Sequence, residues 1–408
     1  MRLLVVDAYH QYLNPTSGLL PVLIATAAPD MACYGPGFSS DAELSQGIRA
    51  YVERTGPYDG VVLGLHIPIF AGDEERLHHN ARFVQRYNTF GSSTATLLPF
   101  FRDVLAHVRT LPVRHRFISL LNFDYYSTTT RHTDVFESLD AHVITPGTQF
   151  APTLDEIPDW AWQERHFVRK ESKISNAWSD YLNRRPDRVL SLPHFVADSE
   201  FSFRALTDRR HRVAIPGVQY LKRKEGRGAL AKRGLRPARS PVFGLVRLAN
   251  RLGIHVFSNY LMLKAYHAEY QGNLIDTRFV YTAREGFGIP VRKFFEIPAA
   301  GAVMMCVPPH GFAELGFRDG ENFLEVDSGD LPDTIAALEA DPDRAQAIAS
   351  AGRKLVFERH SLAARSRQLA LCLKAIEEGR FAGSAWKGGE FEVLDGGAGV
   401  SGMQARIA

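Results

Sequence analysis

Short, continuously apolar runs recur along this 408-residue chain, each bounded by polar residues. Leu3 to Asp7, Tyr58 to His66, Phe117 to Asp124, Ala141 to Gly147 and Val189 to Val196 form one series. Arg212 to Gly217, Gly253 to Ser258, Asp276 to Thr282 and Ala302 to Cys306 form another. A strand is apolar throughout, rather than at alternate positions, when helices cover both of its faces, and that happens in parallel sheets. Segments of helical spacing lie between the runs, among them Leu44, Ile48, Tyr51 and Val52, with Ser39, Ser40 or Asp41 available as a cap. The pattern predicts an α/β chain. Its length exceeds one ordinary core, so two domains are expected, divided near residue 200.

Composition excludes several classes. A hydrophobic fraction of 45% with 23% charged residues is that of a soluble globular protein. Three scattered cysteines, Cys33, Cys306 and Cys372, argue against a disulfide framework or zinc site and for a reducing, cytoplasmic setting. The apolar start at Met1 to Ala8 is interrupted before a signal-peptide core develops. No stretch reaches the ~18 apolar residues that span a bilayer. The net charge of +3 hides an uneven distribution: twelve Lys or Arg between Arg204 and Arg239 stand against Asp208 and Glu225. No nucleic-acid-binding signature accompanies this patch, so nucleic acid is not an expected partner. Peripheral contact of residues 204–239 with the anionic inner face of a membrane is.

Ligands of open α/β sheets sit outside the carboxyl ends of the strands, which makes polar residues there candidates. His66 ends the second run, as a site residue or as a loop hydrogen-bonder. Asp124, with Tyr125 and Tyr126, could serve an acceptor pocket as base, or cap a helix. Trp160, Trp162 and Trp178 fit core packing or sugar stacking. In the second series, Pro216-Gly217 closes a strand, and Tyr220, Lys222, Arg223 and Lys224 follow. Backbone amides flanked by cations can hold two linked phosphates without a metal. Arg292 and Lys293 then stand at a helix start, where cations oppose the helix dipole unless an anion is present. Glu296 follows within a turn. Asp341-Pro342-Asp343 suits a cap and turn better than a metal site, so no metal is expected. Neither half carries the Gly-x-Gly-x-x-Gly of a dehydrogenase.

The stretch Val291 to Cys306, followed by Pro308-Pro309-His310-Gly311-Phe312 and Asp319-Gly320-Glu321-Asn322, resembles the nucleotide-binding signature of GT-B glycosyltransferases. The likeness is to the group-1 and CgeB-like branch and covers Val213 to Leu373. It implies two Rossmann-like doubly wound domains facing a cleft: an acceptor-side domain, 1–200, and a nucleotide-sugar-binding domain, 201–378. It also implies a helix through Ile376 that crosses back onto the first domain. Residues 379–408, rich in glycine, read as a flexible tail. The implied activity is hexosyl or related glycosyl transfer from a nucleotide sugar to a glycan, lipid-linked or other hydroxyl acceptor, metal-independent and without a separate cofactor. Bacterial envelope polysaccharide synthesis is the implied setting.

By the same likeness Glu296 would hold the ribose, and Arg223, Arg292 and Lys293 would neutralise the diphosphate above Gly217 and Tyr220. Glu285, His66 and Asp124 are the catalytic candidates. Many retaining GT-B enzymes space two glutamates eight residues apart; Glu285 and Glu296 are eleven apart. An epimerase or hydrolase using Glu285 with Asp124, or a non-catalytic nucleotide-sugar binder, would use the same architecture.

Overall fold

The computed structural model describes residues 1–8, 15–64, 74–87, 94–120, 130–153, 156, 176–217, 221–252, 260–284 and 288–396. Internal contacts divide the chain into two units. The first comprises Met1–Leu192, Arg365–Lys387 and Phe391–Ala408; the second comprises Pro193–Ala364 with Gly388–Glu390. The division at Leu192 falls slightly before the expected boundary, and the chain returns to the first unit from Arg365.

Among the described residues, six strands build the main sheet of the first unit: β1 (Leu3–Val6), β2 (Met31–Tyr34), β3 (Gly60–Leu63), β4 (His115–Ser119), β5 (Ala141–Thr145) and β6 (Val189–Ser191). All pair in parallel, in the order β2-β1-β3-β4-β5-β6. The order reverses at β1, which puts Leu3 opposite Met31 on one side and Gly60 on the other. Every residue of β1, β3 and β5 is buried, as their apolar runs require. β2 was not foreseen. It lies at the sheet edge with three of its four residues only half-buried, so its sequence needs no continuous apolar run. The helix Asp41–Thr55 starts where its pattern predicts. The Ser40 hydroxyl accepts from the Glu43 N–H and the Glu43 carboxylate returns the bond, a complete capping box.

Among the described residues, four parallel strands build the second unit: β7 (His211–Ala214), β8 (Thr277–Ala283), β9 (Val303–Val307) and β10 (Leu324–Glu325), in the order β10-β9-β8-β7. Val213, Phe279, Tyr281, Val303 and Met305 meet Leu331, Ile335 and Ile348 of the helices Leu331–Ala340 and Pro342–Arg359 in one core. Asp341 caps the second of these helices by accepting the Arg344 N–H at 3.0 Å, the role its spacing suggested.

The expected tail is a correction. Residues Phe381–Lys387 and Glu390–Asp395 form strands β11 and β12 of a two-stranded sheet. Gly388 and Gly389, read as flexible, hold φ of +58° and +90°, the left-handed conformations that a two-residue hairpin turn needs. Trp386 in β11 is 1% exposed and its indole N–H donates to the Ser191 carbonyl at 2.8 Å. Residues 397–408 lie outside the described residues, as do Trp160, Trp162 and the strand expected at Gly253 to Ser258. Trp178 is buried and stacks on Tyr181, the packing role.

Candidate functional site

At the carboxyl end of β7 the chain turns through Gly217 toward the helix Leu221–Lys232. Gly217 has φ +82°, a conformation that side chains other than glycine rarely adopt. A Cβ there would collide with the Lys293 ammonium and stand 3.4 Å from Nη1 of Arg223. Three residues singled out in separate stretches of sequence thus converge. Lys293 arrives from the start of the helix Lys293–Ala299, and Arg223, buried, from the first turn of the helix after the loop. Two cations over a bare backbone are what a pair of linked phosphates needs. Tyr220 lies outside the described residues.

Arg292 and Glu296 correct the sequence reading. Glu296 is buried and both of its carboxylate oxygens are engaged within the fold, where an open ribose ligand was expected. One carboxylate oxygen pairs with the Arg292 guanidinium, and the other accepts the Tyr270 hydroxyl at 2.8 Å. Arg292 also grips Glu200, with Nη2 2.6 Å from Oε1, and Gln271 donates to the same Glu200 oxygen at 3.0 Å. The cation that seemed to demand an external anion is neutralised by two internal carboxylates. Burial alone would lower the Arg292 pKa, but Glu296 and Glu200 outweigh it and hold it raised. Burial pushes the Glu200 carboxyl up against the pull of Arg292, and burial together with Glu296 pushes the Tyr270 phenol well above its usual range. Glu200 was missed because it lies 92 residues upstream of its partner, beyond any local spacing rule.

Tyr270 connects this cluster to a pocket of about 600 Å3. Gly217, Arg227, Arg239, Phe243, Tyr266 and Tyr270 are among the residues lining it. Ligand pockets of this size, with aromatic walls and a few polar groups, take small molecules of nucleotide dimensions. Glu269, also on the wall, accepts the N–H groups of Val242 and Phe243 at 2.9 and 3.2 Å and so fixes the helix Pro241–Arg251 to the helix Tyr260–Ile275. The Asp319 to Asn322 turn, part of the motif read from sequence, is locked by its own side chains. Asn322 accepts the Arg318 N–H at 2.8 Å and donates to the Gly316 carbonyl at 3.0 Å, while Asp319 accepts the Glu325 N–H at 2.7 Å. It shapes the fold.

The basic run is also less uniform than it reads. Arg204 and Arg210 pair with Asp276, Arg212 with Glu339, Lys222 with Asp327 and Arg233 with Asp333. Arg209 is buried and donates to the carbonyls of Arg204, Leu274, Thr277 and Ala300.

His66, Asp124 and Glu285 lie outside the described residues. In the first unit, sequence reasoning passed over Asp7, which it took for the polar boundary of a strand. Asp7 follows β1 where the strand order reverses, the position at which ligands approach such sheets. It is 1% exposed, its Oδ2 has no hydrogen-bond partner among the described residues, and burial holds its carboxyl well above the usual range. A Cβ on Gly64, after β3, would come within 2.8 Å of its Cγ.

Residues 246–370 match the model of a family described as glycosyl transferase-like. That stretch, less than half of the chain, is similar to glycosyl transferase-like proteins. It includes Lys293, Arg292 and Glu296, and the sequence resemblance to GT-B glycosyltransferases falls on the same region. The two parallel α/β units are of the kind that fold uses. Among solved structures, HepE of Anabaena, crystallised with UDP and glucose, is 13% identical, with a TM-score of 0.46 over 92% of this chain and all of that one. Sucrose-phosphate synthase of Thermosynechococcus elongatus is 12% identical, covering 92% and 99% of the two chains at a TM-score of 0.48. A glycosyltransferase of Rickettsia africae is 12% identical, covering 92% and 98% at 0.49. No curated protein sequence matches the chain.

Proposed function

We propose that this protein moves a sugar, of hexosyl or related type, from a nucleotide-sugar donor to a glycan, lipid-linked or other hydroxyl acceptor. The observation that carries this is the convergence of Lys293 and Arg223 on the bare backbone of Gly217, at the end of β7. A departing diphosphate gains negative charge as the glycosidic bond breaks, so cations fixed in advance lower the barrier more than they strengthen ground-state binding. The aromatic wall at Phe243, Tyr266 and Tyr270 would take the rest of the nucleotide. Glu296 acts one step back, holding Tyr270 in place. The glycosyl transferase-like match over residues 246–370 supports the reaction class.

The acceptor hydroxyl must lose a proton, and His66, Asp124 and Glu285 are the groups to substitute in search of the base. Because Lys293 and Arg223 supply positive charge at the phosphates, transfer is metal-independent and persists in EDTA. Bacterial envelope polysaccharide synthesis is the setting suggested by the GT-B resemblance.

Calorimetry with UDP, GDP, CMP, ADP and dTDP tests the assignment. One of them should bind, and Lys293→Met should weaken it about 10- to 100-fold, the loss of one charge-assisted contact. Equal affinity in that variant would remove the phosphate site.

A further inference from the structure

The helix Pro241–Arg251 carries no acidic residue. Its Leu245 and Leu248 are 60% and 55% exposed, and Leu252, just past its end, is 69% exposed. The spacing of three and then four residues puts the leucines on one helical face, while Val246 on another is 1% exposed. This face is not loose. Glu269 holds the first backbone N–H groups of the helix, and Phe243 packs on Tyr266 with ring centroids 6.0 Å apart. A stripe of three exposed leucines on one helical face is the kind of patch that marks an interaction surface.

Charge says which kind. Lys224, Arg227, Lys232, Arg236 and Arg239, on the segment leading into this helix, are exposed cations for which no acidic partner occurs among the described residues. Their neighbours Lys222 and Arg233 are paired with acids, as are Arg204, Arg210 and Arg212, so the exposed cations without an acidic partner among the described residues fall from Lys224 onward. Exposed leucines and exposed cations such as Lys224, Lys232 and Arg236 within one short stretch form the composition of a segment that lies on an anionic bilayer, the leucines among the acyl chains and the cations at the headgroups.

We propose that residues 224–252 seat the second unit on an anionic lipid surface, with Leu245, Leu248 and Leu252 as the apolar contact. The seat is narrower than residues 204–239 and shifted toward the carboxyl end, because Arg204 to Arg212 are engaged within the fold. Pro241, Phe243 and Gly244 of the same helix line the pocket, so seating would hold the pocket beside the bilayer. The seat stands whether or not the pocket takes a nucleotide sugar.

Co-sedimentation of the full chain with phosphatidylcholine vesicles, with and without about one-third phosphatidylglycerol, tests this. Binding should need the anionic lipid and fall steeply as salt is raised to about 0.5 M. Leu245→Ser/Leu248→Ser/Leu252→Ser should weaken it at least about tenfold, since three apolar side chains leave the acyl region. Leu371→Ser, 53% exposed elsewhere, should leave it unchanged. Lys224→Gln/Lys232→Gln/Arg236→Gln should lose the lipid selectivity, and gives a second readout should the serine variant not fold. Equal binding to neutral vesicles, or full binding by either triple variant, overturns the proposal. So does a wild-type dimer, seen by light scattering, that the serine variant dissolves with no change in vesicle binding.

Discussion

Single side chains carry the sharpest expectations. Arg292 neutralises two buried carboxylates, so Arg292→Ala should cost about 3–5 kcal/mol by leaving both unpaired. Urea unfolding measures it, and a loss under about 1 kcal/mol would mean that water reaches Glu200 and Glu296. Asp7 carries a pH signature. Its folded pKa is raised, so the stability it contributes is complete below the unfolded value of about 3.9 and is lost as pH rises through the folded value. Asp7→Asn removes that loss. Its stability relative to wild type should grow from about pH 4 upward, by up to ~1.4 kcal/mol per pH unit until the folded pKa is reached. Glu200 shifts in the same direction, but it is present in both proteins and cancels. A difference that stays flat with pH would show Asp7 to be solvated.

Elements are where the sequence was most legible and where its limits show. β1, β3, β5, β8 and β9 lie under the apolar runs that predicted them, because strands covered on both faces cannot avoid such a pattern. β2 and β12, with few or no buried residues, left no such trace. The loop after β7 was legible through Pro216-Gly217, since a positive φ restricts the residue type. Gly217→Ala should cost about 1–2 kcal/mol in strain and displace Lys293. Nucleotide affinity should fall about tenfold or more, and a thermal-shift series against the same nucleotides would record it. The start of the helix Lys293–Ala299 was misread for a physical reason: a cation at that end does require negative charge, but proximity along the chain gave no means of telling Glu200 from a ligand.

At the scale of the whole chain, two units rather than one long core were predictable from length, and the return at Arg365 was implied by the family resemblance alone. Trp386 shows how much the first unit depends on that return. It is buried against Ser191, where the Ser384 hydroxyl accepts the Ser191 N–H at 2.8 Å. Trp386→Ala should cost about 3–5 kcal/mol by opening a cavity beside β6, measured as a fall in the melting temperature, with the second unit's nucleotide affinity retained. The second unit is in effect an insertion between residues 192 and 365 of the first. On the ribosome, nearly all of the inserted unit therefore emerges before the hairpin that packs beside β6 is made. β6 must wait for that partner through the synthesis of some 170 further residues. A chaperone that holds nascent β1 to β6 would then help yield more than one acting on the finished polypeptide.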